Sequence, residues 1–222
     1  MQIATRRPIS SLALVGICAL GMGGLTSCNI VGPAGYFIAG PGDVDAEFDL
    51  DADRPTLIFI DDRSSKLPRR QFRTLIAETA QANLVSAGVV STIVDTQAAT
   101  AVASQDKNSR PMSIASIGEA VGAEIVIYAT VDEFTISPDG QTVLPTSQLR
   151  VKVIDVVTGE RAWPPEREGY PLRLTVRDRQ GGRDATTSMF DLQQALAVWM
   201  GTGLAELFYD VEVTSSTRYA GQ

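Results

Sequence analysis

Thr56-Leu57-Ile58-Phe59-Ile60-Asp61-Asp62, then Pro68 and a train of Phe72, Leu75, Ile76, Ala80, Leu84 and Ala87 stopped by Gly88, decides the fold. The five-residue run up to Ile60 has no polar alternation beyond Thr56, which is the pattern of a central strand buried on both faces. Pro68 suits the first turn of a helix, and the apolar residues after it recur at helical spacing on one face. Gly88 comes next, in the position where helices end in a left-handed residue. Strand, helix and stop within 33 residues form the first half of a β-α-β unit.

Downstream, Val89 to Val94 reads as a second strand closing on Asp95, and Thr96 caps a short helix through Ala103. Ser104 to Arg110 is polar and reads as a loop; Ser113 starts a helix carrying Ile114, Ile117 and Val121, ended by Gly122. Ile125 to Ile136 is a long strand ended by the turn signal Ser137-Pro138-Asp139-Gly140. Leu149, Val151 and Val153 alternate with Arg150 and Lys152, giving a strand with one wet face. Thr158-Gly159 turns the chain into Arg161-Ala162-Trp163, Pro164-Pro165 breaks it, and Leu172, Leu174 and Val176 alternate again. A last helix begins near Ser188 with Leu192, Leu196, Trp199, Met200, Gly203 and Leu207 as its apolar stripe, Ser188 and Asp191 forming its cap. The order β-α-β-α-β-β-β-α predicts an α/β two-layer sandwich with a mixed sheet and three to four helices over residues 54–210. Residues 211–222 read as a flexible tail.

Toward the amino terminus, Arg6 and Arg7 precede a mainly apolar run from Ile9 to Leu20, too short for a comfortable membrane-spanning helix of about 20 residues. Charge, apolar run, small residues and a cysteine then come in the order of a secretory leader. Leu25-Thr26-Ser27-Cys28 resembles the lipobox of bacterial lipoproteins. That resemblance implies a signal peptide over 1–27, cleavage before Cys28, and three acyl chains on the new terminus. Several chains hold a protein on a membrane far more firmly than one. Asn29, rather than aspartate, after the cysteine leans toward the outer membrane under the enterobacterial sorting rule. Residues 28–53 then comprise the anchor, a Gly/Pro tether and an acidic strand; Tyr36-Phe37-Ile38 within the tether either meets the lipid interface or docks on the domain.

Composition excludes more than it assigns. The 222 residues include 19 basic and 26 acidic side chains, two cysteines and no histidine, with 44% of residues aliphatic or aromatic. Without histidine there is no Ser-His-Asp or Cys-His catalysis and no histidine-ligated metal. Cys18 leaves with the leader and Cys28 is acylated, so the exported domain keeps no thiol for a disulfide or thiolate site. Loss of Arg6 and Arg7 leaves 17 basic against 26 acidic residues, a net charge of −9, which disfavours nucleic-acid backbones.

Asp43 to Asp53 alternates acidic and apolar residues without a break, placing six carboxylates on one side and Phe48 and Leu50 on the other. A calcium loop would need glycine at its sixth position and glutamate at its twelfth, where Phe48 and Arg54 stand; a solvated acidic edge strand is the better reading. Asp61, Asp62 and Asp95 lie at strand ends, where α/β folds place ligands, and form a weak candidate for a metal or acid/base cluster. The simpler account is that they cap helices or meet Arg63. Arg167, Arg173, Arg177, Arg179 and Arg183 form a basic strip on an acidic protein, suited to an acidic partner surface or polyanionic envelope groups. Pairing with Glu166, Glu168, Asp178 and Asp184 is the intramolecular alternative.

Two segments carry a resemblance. Ile117-Gly118-Glu119-Ala120-Val121-Gly122-Ala123-Glu124 leading into Ile125-Val126-Ile127-Tyr128-Ala129 is similar to a helix, Gly-Ala and core strand found in bacterial envelope lipoproteins. Leu149 to Asp155 with Val156-Val157-Thr158-Gly159-Glu160-Arg161-Ala162-Trp163 resembles their strand, Asp-x-x-Thr-Gly-Glu and Trp hairpin. The group includes the curli secretion channel subunit, the lipoprotein activator of penicillin-binding proteins and domains resembling the N-terminal domain of the Tol translocation protein. It implies an α/β envelope domain used for assembly or protein contact, without a shared catalytic set. Channel subunits need apolar outward-facing hairpins, and the hairpins here carry Arg150, Arg161, Arg173 and Arg177.

These readings lead to one expectation and two alternatives. The expectation is a non-enzymatic lipoprotein with no cofactor beyond the lipid on Cys28. It sits on the periplasmic side of the outer membrane and binds another envelope protein. The alternatives are an oligomeric subunit of an outer-membrane secretion or transport complex and, last, a metal-dependent hydrolase using Asp61, Asp62 and Asp95.

Overall fold

The structure, a computed structural model, describes residues 43–104, 111–176, 188–213 and 217. Cys28 and its lipobox, the tether, and Arg177, Arg179 and Arg183 lie outside the described residues. No helix among the described residues is long and apolar enough to cross a membrane.

The elements run β1 (Asp43–Val44), β2 (Thr56–Asp61), α1 (Gln71–Ser86), β3 (Ile93–Val94), α2 (Thr96–Ala103), α3 (Ile114–Val121), β4 (Ile125–Thr135), β5 (Thr146–Asp155), β6 (Arg161–Trp163), β7 (Tyr170–Thr175), α4 (Met189–Ala205) and β8 (Val211–Glu212). β2 is parallel to β3 and to β4; β4 is antiparallel to β5, and β5 pairs antiparallel with both β6 and β7. The result is a mixed sheet in the order β3-β2-β4-β5-β6, with β7 alongside the first half of β5. The α/β sandwich with a mixed sheet is the predicted class.

All six residues of β2 are buried. Its odd and even residues enter different cores, because successive side chains of a strand point to opposite faces. Ile58 and Ile60 join α1, α4, β5 and β7 in the main core with Phe72, Ile76, Leu149, Leu174, Leu196 and Met200. Leu57 and Phe59 join a smaller core with Ala99 of α2, Ile117 of α3 and Val126 of β4. Thus α1 and α4 cover one face of the sheet, while α2 and α3 cover the other face where its strands are parallel. Where β4, β5 and β7 run antiparallel, Arg150, Lys152 and Arg173 keep that second face polar.

Arg54 ties the strand starts together. Its guanidinium reaches the Glu124 side chain at 3.1 Å, the Glu124 carbonyl at 3.1 Å and the Asp155 carboxylate at 2.9 Å. Thr56 faces Ile125 in the ladder and Ile125 faces Asp155, so one arginine spans three adjacent strands. Asp155 also accepts the Thr158 N–H at 2.9 Å, which sets the turn that Gly159 completes at φ +73°.

Three expectations are corrected. The segment from Val89 forms a strand only at Ile93–Val94, because the Val89 amide is used to close α1 on the Leu84 carbonyl and Ser91 N–H bonds to Ala52. Within Asp43–Asp53 the predicted sidedness is present, acids exposed and Val44, Phe48 and Leu50 turned inward, but only Asp43–Val44 is strand. The rest clings to the end of α4, where Glu47 and Phe48 N–H groups share the Leu207 carbonyl at 2.8 and 3.3 Å. The expected tail also has anchored parts: Val211–Glu212 pairs with Asp43–Val44, and Thr217 is buried. Glu206 is 3% exposed, so its carboxylate needs donors, and Thr217 supplies its N–H at 2.8 Å and its hydroxyl at 2.7 Å.

Gly201 permits the contact between α4 and α1. A Cβ there would stand 2.6 Å from the Ile76 carbonyl oxygen and 2.6 Å from Thr79 Cβ, and backbone cannot step aside as a side-chain tip can. Gly201→Ala should therefore lower stability by about 1–3 kcal/mol in urea titration. A second expectation concerns acid. The Arg54 hydrogen bond, then the Thr158 amide, holds the Asp155 pKa at about 2. A depressed carboxylate stabilises fully above its unfolded pKa of about 4 and loses that contribution as pH falls through the folded value. The urea midpoint should therefore drop between about pH 4 and pH 2, and Asp155→Asn should flatten that slope. Asp139, whose carboxylate is held at about 2 by the Thr142 and Gln141 amides, contributes to the slope that remains.

Candidate functional site

The carboxyl end of β2 is where the sequence places a candidate cluster. Asp61 ends the strand and is 7% exposed. Its carboxylate takes the Arg63 Nε at 2.8 Å and the Tyr128 hydroxyl at 2.7 Å. Tyr128 projects from β4 with its ring stacked on Phe59 at 6.2 Å. Burial, followed by the bond to anionic Asp61, pushes the phenol well above the ordinary tyrosine range.

Asp62, also 7% exposed, turns its carboxylate back onto its own loop. It accepts the Lys66 N–H at 2.7 Å and the Leu67 N–H at 3.1 Å. That tight loop includes Ser65 in the left-handed region at φ +51°. Asp95 caps α2 by accepting the Gln97 N–H at 2.8 Å. Thr96, read as the cap from sequence, is the first helical residue instead. Its hydroxyl donates to the Ile58 carbonyl at 2.9 Å and accepts from Gln81, stitching α2 to β2 and α1.

The three aspartates thus serve three local structures and do not converge. No group of three or more His, Cys, Asp or Glu among the described residues is arranged to hold a metal ion.

Of the arginine strip, two members are described. Arg173 reaches Glu133 at 3.5 Å from an exposed position, a contact of small energetic worth. Arg167 is exposed in the turn before β7. Glu168, one of the acids considered as a partner for the strip, pairs with Arg150 at 3.2 Å instead.

The structure brings together a group that the sequence reading passed over. A cleft of about 640 Å³ opens beside the Asp62 loop, lined by Arg69, Arg70 and Arg73, by Gln71 and Thr74, and by Thr96 and Thr100 of α2. A second cleft, about 340 Å³, adjoins it through Arg73, Thr100 and Ser104 and reaches Asp61 and Arg63. The available signal was Arg69-Arg70-Gln71-Phe72-Arg73 at the start of a helix, where acids are the favoured residues.

No family model matches the chain, and no curated protein matches it in sequence. Solved structures are similar at low sequence identity. The PelC dodecamer subunit from Paraburkholderia phytofirmans is 14% identical with a TM-score of 0.43, covering 75% of this chain and 97% of that one. Lipoprotein GNA1162 from Neisseria meningitidis is 14% identical at a TM-score of 0.38, covering 59% and 86%. The LpoB C-terminal domain from Salmonella enterica is 18% identical at 0.34, covering 57% and 85%.

The Asp61–Tyr128 pair gives a direct readout. In an alkaline absorbance titration, Tyr128→Phe should remove a step that lies well above the ordinary tyrosine range. Because the folded phenol resists ionisation, stability should fall as pH rises above the unfolded tyrosine pKa of about 10. The Tyr128→Phe variant should lose less.

Proposed function

We propose that this chain is a lipid-anchored protein of the bacterial envelope, held by acyl chains on Cys28, whose α/β domain binds another envelope protein without catalysing a reaction. The observation that carries the reading is the ordered leader: Arg6 and Arg7, the apolar run Ile9 to Leu20, and Leu25-Thr26-Ser27-Cys28. The segment after the cysteine agrees. Residues 29–42 form a Gly/Pro-rich tether of 14 residues, with a root-mean-square reach of about 20 Å. Such a tether keeps the domain near the membrane, where anchoring raises its effective concentration toward a membrane-bound partner. Placement at the outer membrane, facing the periplasm, rests on Asn29 under the sorting rule. The strand-end aspartates are engaged as caps and ion pairs, which fits a scaffold better than acid/base work. The partner surface is assigned to the strip of Arg167, Arg173, Arg177, Arg179 and Arg183.

Fatty-acid labelling and membrane fractionation of Cys28→Ala test the anchor: label should disappear and the protein should leave the membrane fraction. Crosslinking in intact cells and then pull-down test the partner. A crosslinked envelope protein should be captured by the wild type and lost from Arg167→Glu/Arg173→Glu with the domain still folded. Undiminished label on the cysteine variant would overturn the anchor; crosslinks confined to copies of the chain itself would replace the adaptor with an oligomeric subunit.

A further inference from the structure

We infer that the arginine-lined cleft at the start of α1 is an oxyanion site for a phosphate group, carried by a lipid headgroup or by a free phosphate monoester. Between Asp61 and Arg73 there are five basic side chains against two acidic ones, in a chain whose net charge is −7. Both acids are already committed, Asp61 to Arg63 and Tyr128 and Asp62 to the amides of Lys66 and Leu67. Arg69, Arg70 and Arg73 therefore face the cleft without an acidic partner among the described residues. Arg69 is braced by an aromatic ring instead, its guanidinium carbon 4.9 Å from the centre of Phe190.

The backbone adds charge of the same sign. Arg70 is the residue before α1, it makes no side-chain cap, and the first turn holds no acid. The amino end of a 16-residue helix carries the positive pole of its dipole, with the Phe72 and Arg73 N–H groups already bonded to the Arg69 and Arg70 carbonyls at 3.1 Å. Three arginines gathered there repel that pole and one another unless an anion joins them. Arg73 lines both clefts, and its Nε is buried with no hydrogen-bond partner, as are Ser147 Oγ and Trp199 Nε1 away from the clefts. Buried donors of this kind are rare, and each calls for an acceptor.

The donor set selects the chemistry. Guanidinium groups present flat forks of N–H donors that match phosphate oxygens in pairs. Three guanidinium forks exceed what the two oxygens of a carboxylate can accept in pairs, whereas a phosphate monoester offers three terminal oxygens. Gln71 and Thr74 supply neutral donors at the rim. The volume admits a phosphate with its attached glycerol or sugar.

Calorimetry on the full chain in neutral detergent tests the site, using inorganic phosphate, glycerol phosphate and dihexanoyl phosphatidic acid, with dihexanoyl phosphatidylcholine as control. At least one phosphate probe should bind saturably, one per chain, and Arg70→Gln and Arg73→Gln should each weaken it by about tenfold. Arg70 is exposed, so its variant keeps the fold even if removal of the partly buried Arg73 disturbs it. Arg161→Gln, at an arginine bonded to the Pro165 carbonyl in another part of the sheet, should leave binding unchanged. Preference for phosphatidic acid over glycerol phosphate assigns the lipid headgroup; equal affinity assigns a free monoester. Absence of saturable binding to every phosphate probe, tighter binding of citrate than of phosphate, or binding indifferent to Arg70→Gln would overturn the inference. The site needs no acylation of Cys28, so its failure would leave the anchoring proposal untouched.

Discussion

Burial of β2 on both faces is the constraint on which the rest of the domain depends, since a six-residue strand with no wet side must be covered twice. Ile58 and Ile60 require α1 and α4 on one side, and Leu57 and Phe59 require α2 and α3 on the other. The parallel neighbours β3 and β4 are part of the same solution, because a parallel strand returns through a crossover that lays a helix on a face. The antiparallel strands β5 to β7 need only one covering. Their outward residues, Arg150, Lys152 and Arg173 among them, are accordingly polar.

Packing on the main face is set by how closely α4 approaches α1. Gly201 brings the α4 backbone against the Ile76 carbonyl, and Gly203 lets Leu174 and Thr217 close over the same helix. Phe72 then stacks between Phe134 and Phe190, joining α1, β4 and α4. At the other end of α4, Trp163 gathers Phe48, Tyr170 and Phe208 around one ring. The acidic amino-terminal segment is held there by apolar contacts on its inner side while its carboxylates stay in water.

The charged groups divide into two kinds. Asp61, Asp62, Asp95, Asp155 and Glu206 each meet a backbone amide, hydroxyl or guanidinium, and they act as fasteners at strand and helix ends. Arg69, Arg70 and Arg73 have no acidic counterpart among the described residues, and they crowd the one described helix start that lacks a side-chain cap. A cluster of like charges at an uncapped helix start is a local conflict, and conflicts of that sort gather at functional sites.

Local pattern alone determined much of this protein. The apolar run to Ile60, the helical train from Phe72 to Leu84, the capping pair Ser188 and Asp191, and the turn at Thr158-Gly159 all depend on residues a few positions apart, so the sequence displays them directly. Even the inner and outer sides of Asp43–Asp53 could be read, because alternation sets sidedness before it sets pairing. Tertiary structure decided what depends on distant partners. The Leu207 carbonyl drew that acidic segment away from a ladder, Glu206 drew in Thr217, and the pairing of β5 with both β6 and β7 filled the sheet edge. The arginine cleft belongs to the same class. Arg69, Arg70 and Arg73 are neighbours in the chain, but the loop locked by Asp62 and the wall supplied by α2 make a concave site of them, and only folding brings those parts together.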